Sequence, residues 1–306
     1  MGRKIRQKIE DVLPILLISG FFIVIDGLAL LATGPLESAG VTAFENPNDP
    51  LNLLYFFVTL LVFTGFILFI SRLRKKQTLQ GILLGAIGLI LFDVIYSIIG
   101  TAVQDPLALG LSVVATVALV VMIIKYPEWY VVDACGIIAG AGAAAILGIS
   151  LGISLIIILL IGMAIYDAIS VYKTKHMIDL ADAVATLRVP MMLVIPKTKN
   201  YSLIREKESL KERINKGGER EAFFMGLGDI IFPGILFVST YYNVPSNNLI
   251  IALSVLVGTL FSFFALMAAV AKGKPQAGLP YLSTGAILGY VVSSILLFGR
   301  LVGFEF

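Results

Sequence analysis

Long apolar runs, broken at near-regular intervals by short polar stretches, set the pattern of this chain. A helix needs roughly 20 mainly apolar residues to cross a bilayer, because lipid offers backbone amides no partner. Nine stretches meet that need: Leu13–Ala32, Leu51–Ile70, Gly81–Gly100, Leu107–Ile124, Trp129–Leu147, Ile153–Tyr172, Ala222–Tyr242, Leu249–Ala271 and Leu279–Phe298. The fifth and sixth are nearly continuous, with charge only at Asp133 and Asp167; Gly148, Ser150, Gly152 and Ser154 mark the turn between them. The pattern predicts an all-α polytopic membrane protein of nine transmembrane helices. Residues 1–172 would hold helices 1–6, residues 173–221 a connecting loop, and residues 222–306 helices 7–9.

Composition agrees. The 306 residues are 58% hydrophobic and only 14% charged, where a soluble domain carries about 25% charge. Lys and Arg fix the topology, since cytoplasmic loops retain them. They occupy the N-terminal tail, the ends of the second, fourth and eighth stretches, and the long segment from Lys173 to Arg220; only Arg300 falls on the opposite side. This places the N-terminus on the cytoplasmic side and the C-terminus outside. The run from Leu13 exceeds the 7–15 apolar residues of a secretory signal and reads as a first spanning helix. The long inner segment reads as a solvated connector: an amphipathic stretch from Met177 to Val189 on the membrane surface, a break at Pro190 and Pro196, and a charged run from Arg205 to Arg220.

One cysteine, Cys135, and one histidine, His176, exclude a disulfide framework and a two-histidine zinc site. No metal and no cofactor is expected. The candidate chemistry lies in carboxylates within the apolar stretches, where each costs about 2.5–3.5 kcal/mol: Asp26, Asp93, Asp133, Asp167 and Asp229. Asp133 is close enough to the inner boundary to snorkel to it. Asp167 and Asp229 lie roughly 7–8 Å and 10 Å inside that boundary on antiparallel neighbours, so they meet at one level. Two carboxylates held together in a low dielectric share a proton and act as base and acid on a water molecule. Depth alone leaves this open against two alternatives: separate hydrogen bonds between helices, or an ion or proton path in a cation channel or transporter using Asp26, Asp93 and Asp133.

The local sequences carry more. Asp167 stands in Tyr166-Asp167, and Asp229 closes Gly226-Leu227-Gly228-Asp229. Gly278-Leu279-Pro280-Tyr281-Leu282 opens the last stretch. These elements resemble the presenilin and signal peptide peptidase family of intramembrane aspartyl proteases, with Tyr-Asp on the sixth helix, Gly-x-Gly-Asp on the seventh and Pro-Ala-Leu at the start of the ninth. Gly-x-Gly-Asp alone is also found in prepilin peptidases. Tyr281 departs from the alanine usual in the family. The resemblance implies an aspartic endopeptidase that cuts transmembrane-helix substrates within the lipid bilayer, with Asp167 and Asp229 as the catalytic pair. Tyr166 would orient Asp167, Gly226 and Gly228 would leave space beside Asp229, and Pro280, Tyr281 and Leu282 would border the substrate cleft. The inside N-terminus is that of presenilins, and the short loops imply a compact prokaryotic homologue of the cell membrane. It would need no accessory subunit and bind no nucleic acid; self-association as a homo-oligomer is left open.

Overall fold

A computed structural model describes residues 2–72, 76–174, 189–197, 201–204, 222–271 and 276–304. Among them are nine α-helices: α1 (Gly2–Ser38), α2 (Leu51–Arg72), α3 (Lys76–Gly100), α4 (Leu107–Lys125), α5 (Trp129–Ser150), α6 (Ile153–Ile169), α7 (Leu227–Asn243), α8 (Asn248–Val270) and α9 (Gly278–Phe298). Seven are long and apolar enough to cross a membrane; the apolar part of α2, Leu51–Ile67, and the 17 residues of α7 fall short of that length. Each of the nine expected stretches therefore holds one of these helices, but by length seven of the described helices can span.

The seventh stretch differs most from expectation. Ala222–Gly226 is a strand, β2, paired antiparallel with β1 (Met192–Pro196), and the helix starts only at Leu227. An apolar run too short for a full helical period fits either state, and here the strand wins because it has a partner. Side chains alternate across the pair as the pleat requires. Leu193, Ile195 and Met225 join the main core, whereas Val194 and Ala222 pack with Val132, Tyr201 and Leu203 on the other face. The described part of the inner segment is thus packed protein and not a solvated connector. The amphipathic stretch before Val189 and the run from Arg205 to Arg220 lie outside the described residues.

The ladder has two unlike edges. The Val194 N–H turns away from β2 and donates to Asp133 of α5 at 2.8 Å. The pair Val194–Phe224 is therefore a non-hydrogen-bonded one, so the N–H and C=O of Phe224 face the outer edge of β2. The Leu227 N–H donates to Met191 O at 3.0 Å and continues the ladder into the first residue of α7. Among the described residues nothing pairs with the outer edge of β2.

Helix α5 is the hub, packed against α1, α3, α4, α7 and β1, while α6 lies against α7 and α9. Small residues permit these contacts, as expected where van der Waals fit replaces the hydrophobic effect. The tightest is α8 on α9: a Cβ at Gly258 would sit 2.2 Å from the Gly285 carbonyl oxygen. At the far end from the sheet, the α1–α2 loop is laced to the α5–α6 turn. The Ala43 N–H donates to Ser150 Oγ at 2.7 Å, and the Gly152 N–H donates to Pro47 O at 2.8 Å.

Candidate active site

Asp167 stands two residues before the end of α6, where the chain winds into a wider turn over Ser170–Thr174. Asp229 is the third residue of α7, so its depth is set by the switch from strand to helix at Gly226 and not by a long apolar helix. The ends of α6 and α7 bring the two carboxylates to either side of the entrance to α9. Asp167 is 5% exposed, and Asp229 is half-buried.

The entrance to α9 lies between them. The Leu279 N–H donates to Asp167 Oδ2 at 3.1 Å. The preceding residue, Gly278, faces Asp229. A Cβ there would lie 3.0 Å from Oδ2, 3.2 Å from Cγ and 3.3 Å from Oδ1. Neighbouring residues therefore serve the two aspartates, Leu279 with its amide and Gly278 with its bare Cα. First-turn amides of a helix have no partner within it, and here one of them serves a buried carboxylate.

The other intramembrane carboxylates are placed differently. Asp133 is 4% exposed and does not snorkel; Oδ1 accepts from Val194 of β1, and Oδ2 has no hydrogen-bond partner. Asp26 is 3% exposed, with Oδ1 against α7 where a Cβ at Gly234 would come within 2.7 Å. No hydrogen bond joins Asp26, Asp93 and Asp133 into a path among the described residues. No cluster of three or more metal-ligating side chains occurs among them either.

Comparison with known proteins agrees with this arrangement. Residues 19–299 match the family described as signal-peptide peptidase, presenilin aspartyl protease. The chain belongs to this family. Two solved structures of a presenilin family intramembrane aspartate protease are similar over almost their whole length. One, in space group C222, is 28% identical with a TM-score of 0.68, covering 94% of this chain and 99% of the other. The second, in space group P2, is 31% identical with a TM-score of 0.69, covering 93% and 98%. The curated proteins gave no match.

Within this intramembrane aspartyl protease the motif residues have more particular places than their spacing implied. Tyr166 is 48% exposed, and its hydroxyl makes no hydrogen bond to Asp167 among the described residues; the Leu279 amide of α9 bonds to that carboxylate. Gly226 lies beside Asp229, but a Cβ there would be at an ordinary 3.6 Å, and one at Gly228 would meet Phe232 at 3.8 Å. The glycine that gives Asp229 its space is Gly278, which the sequence presented only as the residue before Leu279-Pro280. Leu227 seats the start of α7 on α5, its Cδ1 3.1 Å from where a Cβ at Gly140 would stand. Pro280, Tyr281 and Leu282 are helical, in the first turns of α9. Leu282 is fully buried in the main core, and Pro280 and Tyr281 are partly exposed.

Proposed function

We propose that Asp167 and Asp229 are the catalytic pair with which this protease cuts transmembrane helices near their cytoplasmic end. The observation that carries the assignment is the shared α9 entrance: Leu279 bonds to Asp167 and the adjoining Gly278 abuts Asp229, so the two carboxylates face one small space. With one carboxylate ionised and the other protonated, the pair activates water. The ionised group takes a proton as the water oxygen attacks the scissile carbonyl carbon, while the protonated group gives its proton to the carbonyl oxygen. Collapse of the resulting diol breaks the C–N bond. The proton first taken from water passes to the leaving nitrogen, and the other carboxylate recovers its proton from the diol hydroxyl.

A helical substrate hides its carbonyls in its own hydrogen-bond ladder, so the segment to be cut must first be drawn out. The outer edge of β2 supports an extended docking mode. Among the described residues its backbone groups are unpaired, and it runs directly into the turn that bears Asp229. This assigns to the strand edge the docking role that Pro280–Leu282, being helical, is poorly shaped to fill. The distribution of basic residues supports a cytoplasmic N-terminus and an external C-terminus, which sets the sheet and the pair at the cytoplasmic face. The short loops support a compact homologue of a prokaryotic cell membrane that needs no accessory subunit.

The test is cleavage of a single-span substrate by purified protein in detergent. Asp167→Asn and Asp229→Asn should each abolish cleavage with thermal stability retained, and the double variant should be no worse than either single one. Substantial activity in either single variant would remove that aspartate from the mechanism.

A further inference from the structure

Tyr172 lies five residues beyond Asp167, in the wide turn after α6. Its hydroxyl donates to Gln276 Oε1 at 3.1 Å and accepts a long bond, 3.5 Å, from the Ala277 N–H. Gln276 and Ala277 lead directly into Gly278, which abuts Asp229, and Leu279, whose amide holds Asp167. A closed circuit results: from Asp167 along the turn to Tyr172, across to Gln276 and Ala277, and through Gly278 and Leu279 back to Asp167.

We propose that Tyr172 is a positioning residue, whose hydroxyl clips the chain entering α9 to the end of α6 and so fixes Gly278 and the Leu279 amide between the two aspartates. The proposal rests on the assignment of Asp167 and Asp229 as the catalytic pair. The ring is 54% exposed, so its packing contributes little, and the hydroxyl is the part that touches the other element. Without the clip, Gly278 can move relative to both carboxylates. It abuts Asp229 and is joined to the Leu279 amide that holds Asp167, so a small displacement alters both the donor to Asp167 and the space at Asp229. Misplacement of a reacting group by about 1 Å costs up to ~100-fold in rate. Substrate held mainly at the β2 edge would bind as before.

The experiment uses Tyr172→Phe, Gln276→Ala and the double variant, with kcat, KM and thermal unfolding measured on the full chain and one transmembrane substrate. A hydroxyl clip lowers kcat by about tenfold, within the range that misplacement produces, and leaves KM and the unfolding temperature near wild type. Tyr172→Phe removes both bonds of the clip and Gln276→Ala only one of them, so Gln276→Ala should lose no more than Tyr172→Phe and the double variant should match Tyr172→Phe. Wild-type kcat in Tyr172→Phe would overturn the proposal. So would independent, multiplying losses in the double variant, or a fall in activity that tracks a fall in unfolding temperature. Asp229→Asn in the same assay keeps the two inferences apart. An active Asp229→Asn would sink the catalytic assignment, whereas a dead Asp229→Asn beside a fully active Tyr172→Phe overturns the clip alone.

Discussion

Asp133 offers the sharpest separation of structure from chemistry, because it is as buried as Asp167 yet committed to a strand. Its Oδ1 accepts the Val194 N–H at 2.8 Å, and only 4% of the residue is exposed. Replacing it with alanine leaves that buried N–H unpaired, a loss of about 1–3 kcal/mol. Acting on the seating of β1, this reduces the ordered sheet relative to its undocked form by roughly 5–150-fold, at 1.4 kcal/mol per factor of ten. β2 and the start of α7 would loosen with it. Asparagine keeps an acceptor of the same shape, so Asp133→Asn should lie within about 1 kcal/mol of wild type. Two measurements together check this: cleavage of a single-span substrate, and hydrogen exchange at the amides of β1 and β2. Asp133→Asn should retain most of the activity and the protection. Asp133→Ala should lose both, with exchange rising first at Val194. Abolished cleavage in Asp133→Asn with the sheet still protected would show that Asp133 takes part in the reaction and that the clamp is not its role.

The pH–rate profile should be bell-shaped, since one carboxylate must be ionised and its partner protonated, and the two limbs belong to the pair. A rate constant from about pH 4 to pH 9 would contradict a shared-proton mechanism. Mass spectrometry of the products should place the first cut within about two helical turns of the cytoplasmic end of the substrate helix, because both aspartates stand at helix ends beside the sheet. A proline placed in the substrate segment that pairs with β2 should suppress cleavage by removing a ladder donor. A first cut in the outer third of the helix, or indifference to proline along the whole segment, would refute docking at that edge.

The spanning helices were legible because length and apolarity are enforced by the bilayer itself, and their limits in the structure mostly fall within a few residues of those read from sequence. Ala222–Gly226 was not legible. Five apolar residues at the head of an apolar helix carry no period of their own, and only pairing with Met192–Pro196 makes them a strand. The burial of Leu193, Val194 and Ile195 was hidden for a related reason, since their partners come from α5 and from β2, far away in sequence. Of the site, Asp167, Asp229 and the Leu279 region could be read as motifs. The role of Gly278 could not, because a close approach to Asp229 is a relation between two helices and leaves no local mark.

The unlike edges of the small sheet have a consequence for turnover. Among the described residues helix α5 occupies one side through Asp133 and nothing pairs with the other, so an extended guest would add to the sheet at β2, one at a time. A fragment left on that edge after cleavage occupies the seat of the next substrate. Stronger backbone pairing would therefore favour capture and delay departure together, and the enzyme would cycle fastest at an intermediate grip. Peptides matching only the edge-bound segment would act as competitive inhibitors, and release of product from β2 would limit the steady-state rate.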